Sequence, residues 1–319
     1  TSQELQASLQ KEAPIGHSPH SAAGFSGSPG VQLHRAGFQW AVYTRIESVS
    51  LIDNKLTIVS ICQGTQTQLI HCLAFDHKTD VLAATTEIVN MGESSLWLNR
   101  CDAPCLPIPK HYSKILSFAG RWGNEFQSQS IDRFMGAYVR ENRSGRTSHD
   151  SFPGVIVHTE QTNESSGSAY GLHLGWSGNH HVRVEEQFTG QAYAQLGELF
   201  LPGEMLLEPG QAYKSPVLFG ASTDKGLSTL SGSFHRHVRA KLTDKRITNK
   251  IRPVHFNTWE AVYFDLSLER LCTLAEHARE VGAERFVLDD GWFKNRKSDN
   301  AGLGDWTVDK SVFPAGLAP

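Results

Sequence analysis

The chain has 319 residues, 39% of them hydrophobic and 20% charged, with a formal net charge of −3 at pH 7. That length accommodates two domains, and the composition is that of an ordinary globular protein. With Lys and Arg scattered and the balance slightly acidic, the sequence excludes the basic face that nucleic acid requires and the polybasic patch that draws a protein to an anionic membrane, but it suits a neutral substrate such as a sugar.

The N-terminal TSQELQASLQKE lacks the apolar core of a secretory signal, and no stretch approaches the ~18 apolar residues of a membrane span. Residues 13–30, APIGHSPHSAAGFSGSPG, are rich in Gly, Ser, Pro and His. They read as the end of a flexible N-terminal segment covering residues 1–30. Over residues 31–245 short β-branched and apolar runs alternate with turn residues. LTIVSI at 56–61, TQLIHCLAF at 67–75, AATTEIVN at 83–90, SLWLNR at 95–100, GVIVHTE at 154–160, GLHLGW at 171–176 and HVRVEEQF at 181–188 are the strand candidates. In HVRVEEQF, Val182 and Val184 share one face and Arg183 and Glu185 the other, the period of a half-buried strand. Asn90-Met91-Gly92, Gly178-Asn179 and Pro202-Gly203 supply turns. Many strands with no helix between them predict a large antiparallel sandwich.

Near residue 225 the pattern changes. Leu227, Leu230, Phe234 and Val238 recur at helical spacing, and TDKRITNK reads as a polar linker. Residues 246–319 then follow a β/α pattern. Val254–Trp259 reads as a short buried strand. Ser267 is the N-cap of a helix whose stripe is Leu268, Leu271, Leu274, Ala275, Ala278 and Val281, with Gly282 placed to end it. RFVL at 285–288 is a second strand. Strand, helix, strand is one βαβ unit of a parallel sheet or barrel.

Ligand-binding groups on such sheets stand at the carboxyl ends of the strands. Here those ends carry Asn257-Thr258-Trp259-Glu260 and Asp289-Asp290-Gly291-Trp292. Carboxylates accept charge-assisted hydrogen bonds from hydroxyls, and an indole face packs on the C–H surface of a sugar. Adjacent aspartates in an extended strand point to opposite faces, so they are poorly placed to flank one glycosidic bond. Gripping hydroxyls suits Asp289 and Asp290 better, although an N-cap or a solvated loop needs the same residues. Trp259 alone reads more simply as core than as a platform. Glu260 reads as a general acid or, more simply, as a salt-bridge partner.

Five cysteines, Cys62, Cys72, Cys101, Cys105 and Cys272, are too few and odd in number for a disulfide scaffold in so long a chain. CDAPC lacks the second ligand pair that zinc would need, so the thiols read as buried or edge groups in a reducing, cytoplasmic compartment. His180-His181 reads as lying at a turn, and His235 and His237 are two apart on a helix, so neither pair shares a helical face; both read as structural or solvated. No metal and no cofactor is expected.

RPVHFNTWEAVYFDLSLERLCTLAEHAREVGAERFVLDDGWF, followed by GLGDWTVDKSVFPAGL, resembles the start of the catalytic barrel of glycoside hydrolase family 36 α-galactosidases. Upstream, GFSGSPGVQLHR at 24–35, FAGRW at 118–122, SGRTSHDSFPG at 144–154 and LPGE at 201–204 resemble that family's N-terminal β-supersandwich. The resemblance implies a mainly β chain: a large antiparallel β-supersandwich, then the first βαβ portion of a truncated (β/α)8 barrel. It implies a metal-independent retaining glycosidase acting on α-galactoside oligosaccharides of the melibiose and raffinose type. It assigns Asp289 and Asp290 to the galactose 4- and 6-hydroxyls and Trp259 to the pocket wall. Asn257-Thr258 stands where the family commonly has two asparagines.

The same resemblance places the nucleophile and the acid/base aspartate past residue 319, so this chain alone is expected to be inactive and its last ~70 residues less stable than the sandwich. The complete enzyme is expected to be a homo-oligomer. A non-enzymatic sugar-binding sandwich using Trp122 or Trp176, an α-N-acetylgalactosaminidase and a galactosyl transferase are the competing readings.

Overall fold

The computed structural model describes residues 16–147 and 150–318 and divides them after Leu242 into two compact units. The first is built of strands. In chain order they are β1 (Val31–His34), β2 (Arg45–Ile52), β3 (Lys55–Cys62), β4 (Thr67–Asp76), β5 (Val81–Asn90) and β6 (Leu96–Cys101). Next come β7 (Leu106–Ile108), β8 (Lys114–Arg121), β9 (Asn124–Asp132), β10 (Gly136–Asn142), β11 (Gly154–His158) and β12 (Ala169–Gly175). The series ends with β13 (His180–Glu186), β14 (Ala192–Glu198), β15 (Leu206–Leu207), β16 (Ala212–Lys214) and β17 (Val217–Thr223). Each of the seven strand candidates overlaps one of these strands, four of them running past one of its ends.

The large sheet runs β2-β3-β4-β5-β17-β12-β11-β8-β9, with β16 also on β5, and its ladders are antiparallel. Two smaller sheets, β10-β13-β14-β7 and β1-β6-β15, cover one of its faces. Alternation explains the layering. Val155, Val157, Leu172 and Leu174 of the large sheet meet Val182, Val184, Ala194 and Leu196 of the first small sheet. Leu69 and Ile88 likewise meet Leu33, Leu96 and Leu98 of the second. Fully burying such a side chain contributes about 1.5–3 kcal/mol. On the opposite face lies helix α1 (Gly226–His237), which packs Leu227, Leu230 and Phe234 onto Ile156, Ala169, Phe219 and Ala221. Val238 departs from the predicted stripe: the chain widens into a π-helical turn there, and the larger turn rotates Val238 into solvent.

Thr1–Ile15 lie outside the described residues. The remainder of the N-terminal segment is tied to the sandwich. The Cys105 amide donates to the His17 carbonyl at 2.8 Å, and the Ser28 amide to the Tyr193 hydroxyl at 2.9 Å. Gly27 is needed for that contact, because a Cβ there would lie 2.3 Å from Tyr193 Oη.

The second unit contains one βαβ motif. Strand β18 (His255–Asn257) pairs in parallel with β19 (Arg285–Val287), Asn257 opposite Val287. Between them lie the short helix α2 (Trp259–Val262) and the longer α3 (Leu268–Glu280). The Ser267 hydroxyl accepts from the Arg270 amide at 3.2 Å, as an N-cap does, and Gly282 at φ 90° turns the chain after the helix. Leu271, Val262, Leu266 and Phe313 form the unit's core with Leu274, Phe286 and Leu288. Two expectations are corrected here. Within Val254–Trp259 only His255–Asn257 is strand, and none of those three residues is buried, since a two-stranded sheet shields little of either face. Val281 is exposed because the helix ends one residue before it.

Candidate functional site

The parallel register brings the carboxyl ends of β18 and β19 side by side, and with them Asn257, Trp259, Asp289 and Asp290. Asn257 connects two of the loops' groups. Its Nδ2 donates to Asp289 Oδ2 at 2.5 Å, while its Oδ1 accepts the Trp259 amide at 2.7 Å. Thr258, 1% exposed, sits beneath: its amide donates to the Val287 carbonyl at 3.1 Å, and its Oγ1 accepts the Asp289 amide at 3.1 Å. The hydroxyl thus supplies an acceptor for the amide that follows β19.

The two aspartates have different environments. Asp289 Oδ1 accepts the Asp290 amide at 2.7 Å, so each of its oxygens already has one donor. Asp290 Oδ2 accepts Arg296 Nε at 3.1 Å and Nη2 at 2.8 Å. Asp290 Oδ1 is buried and has no hydrogen-bond partner among the described residues. Trp259, half-buried, is held edge-to-face by Tyr263 and Phe264, with centroids at 5.3 and 5.0 Å. Glu260 is exposed and accepts the Tyr263 hydroxyl at 3.1 Å, which pushes that phenol's pKa up. Sequence reasoning singled out Asp289, Asp290 and Trp259 but missed Arg296 and Phe264; a lone Arg in a polar loop gives no periodic signal.

Within the sandwich a second polar group forms around the buried Asp102. Arg100 Nε donates to Asp102 Oδ2 at 2.7 Å and Nη1 to Ser28 Oγ at 2.8 Å, while His181 Nε2 stands 2.8 Å from Asp102 Oδ1. Burial raises the Asp102 carboxyl, but Arg100 and His181 outweigh it and hold the group below its usual range. His180 and His181 therefore belong to β13 and are buried, not placed at a turn. His237 pairs with Thr79 Oγ1 at 3.0 Å. Cys101, pushed up by burial and then by Asp102, and Cys105, pushed up by burial first, are poor nucleophiles. All five cysteines are unpaired. Trp122 is 85% exposed at the β8–β9 hairpin, and Trp176 is partly exposed after β12. Among the described residues no group of three or more His, Cys, Asp or Glu is arranged to hold a metal ion. No described helix is long and apolar enough to cross a membrane.

A layered antiparallel sandwich, followed by a parallel βαβ unit with acidic groups and an indole at its strand ends, defines a two-part sandwich-and-barrel class of protein. The sequence profile of the Glycosyl hydrolase family 36 N-terminal domain matches residues 3–208, and that of Melibiase matches residues 212–319. The chain belongs to glycosyl hydrolase family 36. It is 35% identical over 311 residues to an α-galactosidase of Escherichia coli, covering 98% of this chain and 44% of that relative. Among solved structures, it resembles the galactosidase domain of the α-galactosidase–sucrose kinase AgaSK with a TM-score of 0.87 at 25% identity, over 95% of this chain and 45% of the other. A variant of the family 36 α-galactosidase AgaA from Geobacillus stearothermophilus, solved with stachyose, aligns with a TM-score of 0.82 at 25% identity, over 90% of this chain and 43% of the other. The chain spans less than half the length of each of these relatives.

Proposed function

We propose that residues 1–319 are the N-terminal part of a retaining α-galactosidase acting on terminal α-galactosyl residues of melibiose- and raffinose-type oligosaccharides, and that Asp289, Asp290 and Trp259 bind the galactosyl unit. The observation that carries this reading is the Asn257 side chain, which links the Trp259 backbone to the Asp289 carboxylate at adjoining strand ends. Carboxylates held there accept sugar hydroxyls, and the neighbouring indole excludes water from the ring's C–H face. Each aspartate is held by a local donor, Asn257 for Asp289 and Arg296 for Asp290, as suits groups that bind hydroxyls and leave the bond cleavage to others. The nucleophile and the acid/base come from later barrel strands, and residues 1–319 by themselves are inactive. The complete enzyme assembles as a homo-oligomer and works in the reducing cytoplasm, in keeping with five unpaired cysteines.

The test is hydrolysis of p-nitrophenyl α-galactoside by the complete gene product, beside an Asp290→Ala variant and beside residues 1–319 alone. Release of nitrophenol by the complete protein, a loss of several hundredfold (about 3 kcal/mol) in the variant, and none from residues 1–319 support the reading. A folded complete protein that leaves galactosides intact, but cleaves an N-acetylgalactosaminide or transfers galactose to a sugar, replaces it. Activity in residues 1–319 overturns the assignment of the cleaving groups.

A further inference from the structure

Arg296 is the group in the second unit whose burial needs explaining. Its side chain is 4% exposed, and it is the only cation within hydrogen-bond reach of Asp290 among the described residues. All of its nitrogens are used. Nε and Nη2 converge on Asp290 Oδ2, while Nη1 donates to the Ser298 carbonyl at 2.8 Å and the Ala301 carbonyl at 2.9 Å. The guanidinium carbon lies 5.3 Å from the centre of the Phe264 ring, and Phe264 is the ring that stands edge-on to Trp259. One side chain therefore touches both the carboxylate at the end of β19 and the aromatic support of the indole at the end of β18.

The arrangement is asymmetric in an informative way. Two donors fall on one oxygen of Asp290 and none on the other, although Oδ1 is itself buried. A cation serving only to neutralise a buried carboxylate gains most from the bidentate fork, one N–H to each oxygen. Spending the fork on Oδ2 fixes the carboxylate's rotation and leaves Oδ1 as a desolvated acceptor awaiting a donor. A buried acceptor without a partner is costly in the free protein, and that cost is relieved when a ligand hydroxyl donates to it.

We propose that Arg296 is a positioning residue for the sugar site: it holds Asp290 by one oxygen so that the other is presented to a substrate hydroxyl. The inference rests on the galactosidase reading above. Because Arg296 acts through Asp290, its removal and that of Asp290 fall on the same interaction and do not multiply.

The experiment is a double-mutant cycle in the complete gene product with Arg296→Gln, Asp290→Ala and the pair. Arg296→Gln raises KM for p-nitrophenyl α-galactoside by roughly 10–100-fold with a smaller change in kcat. The pair falls within about twofold of Asp290→Ala alone in kcat/KM, the limit of additivity error. Losses that multiply, or an unchanged KM, overturn the proposal and leave Arg296 a loop staple. If Arg296→Gln does not fold, Arg296→Lys carries the cycle: it keeps the charge but cannot hold Oδ2 and both carbonyls together, so it raises KM, and a wild-type KM in it overturns the proposal. If the wild type hydrolyses no galactoside, the functional reading fails separately. The positioning claim is then read from crystal structures, where a turned Asp290 carboxylate in Arg296→Lys supports it and an unmoved one sinks it.

Discussion

The Asn257 amide and the Asp289 carboxylate meet at 2.5 Å across adjoining parallel strands, and the same amide accepts the Trp259 backbone N–H. Both ends of one side chain thus set the spacing between the two loops that carry the candidate sugar contacts. Substituting Asn257→Ala frees Asp289 Oδ2 and the Trp259 amide together. In the complete gene product this is expected to raise KM for an α-galactoside by about tenfold, the scale of one charge-assisted hydrogen bond. Steady-state kinetics measure it, and a KM within twofold of wild type removes Asn257 from the site.

Thr258 is the buried half of the same arrangement. Thr258→Val preserves the shape but leaves the Asp289 amide without an acceptor, an expected cost of about 1–2 kcal/mol. Thr258→Asn restores an acceptor and is expected to lose less. Hydrogen exchange of the amides of residues 243–319, measured in the whole chain, orders the two variants; a valine as stable as the wild type contradicts the hydrogen bond's role.

In the sandwich, Gly27→Ala is expected to destabilise by about 1–3 kcal/mol, because its methyl falls 2.3 Å from Tyr193 Oη and must displace either the ring or the strand of chain above it. The Tyr193 hydroxyl also donates to Glu185 Oε2 at 2.6 Å, so its freedom to yield is small. A lowered Tm by calorimetry checks this. No change in Tm means that the segment carrying Gly27 does not rest on β14 in solution.

The layered core was legible wherever one face of a strand is wet and the other dry. Val182 and Val184 alternate with Arg183 and Glu185 in the sequence, and the structure turns the valines inward. Ser267 announced its helix because capping is local. Edge strands escaped for the opposite reason. Strand β9, NEFQSQSID, is exposed along its whole length and owes its conformation to hairpin pairing with β8, which leaves no periodic mark. Strand β2 is exposed throughout and carries a register shift between Ile46 and Ser48 that breaks its alternation. At the candidate site, strand-end position exposed Asp289, Asp290 and Trp259 to sequence reasoning. Arg296 was invisible, because its role depends on a loop folding back over six residues to reach Asp290. His180 and His181 were misplaced because Gly178-Asn179 forms the turn immediately before them and the strand begins at once.

Acid sensitivity follows from a histidine that cannot charge while folded. His71 on β4 is 4% exposed and shares a hydrogen bond with Thr86 Oγ1 at 3.1 Å. Burial, helped by His17 and His20, lowers its pKa from 6.5 to about 4. The unfolded chain takes up a proton on this residue below pH 6.5, whereas the folded one stays neutral until about pH 4. Protons bound are then greater in the unfolded state, so stability rises with pH across that window and falls as the solution is acidified. By pH 4 the loss from this site is roughly 3 kcal/mol. His71→Gln retains a partner for Thr86 without a titrating group, so its urea midpoint is expected to change less between pH 7 and pH 4 than that of the wild type. Some slope persists, because His20 is also buried and lowered to about 4. Parallel pH profiles for the two proteins would show that His71 is hydrated in solution and that the buried position on β4 is wrong.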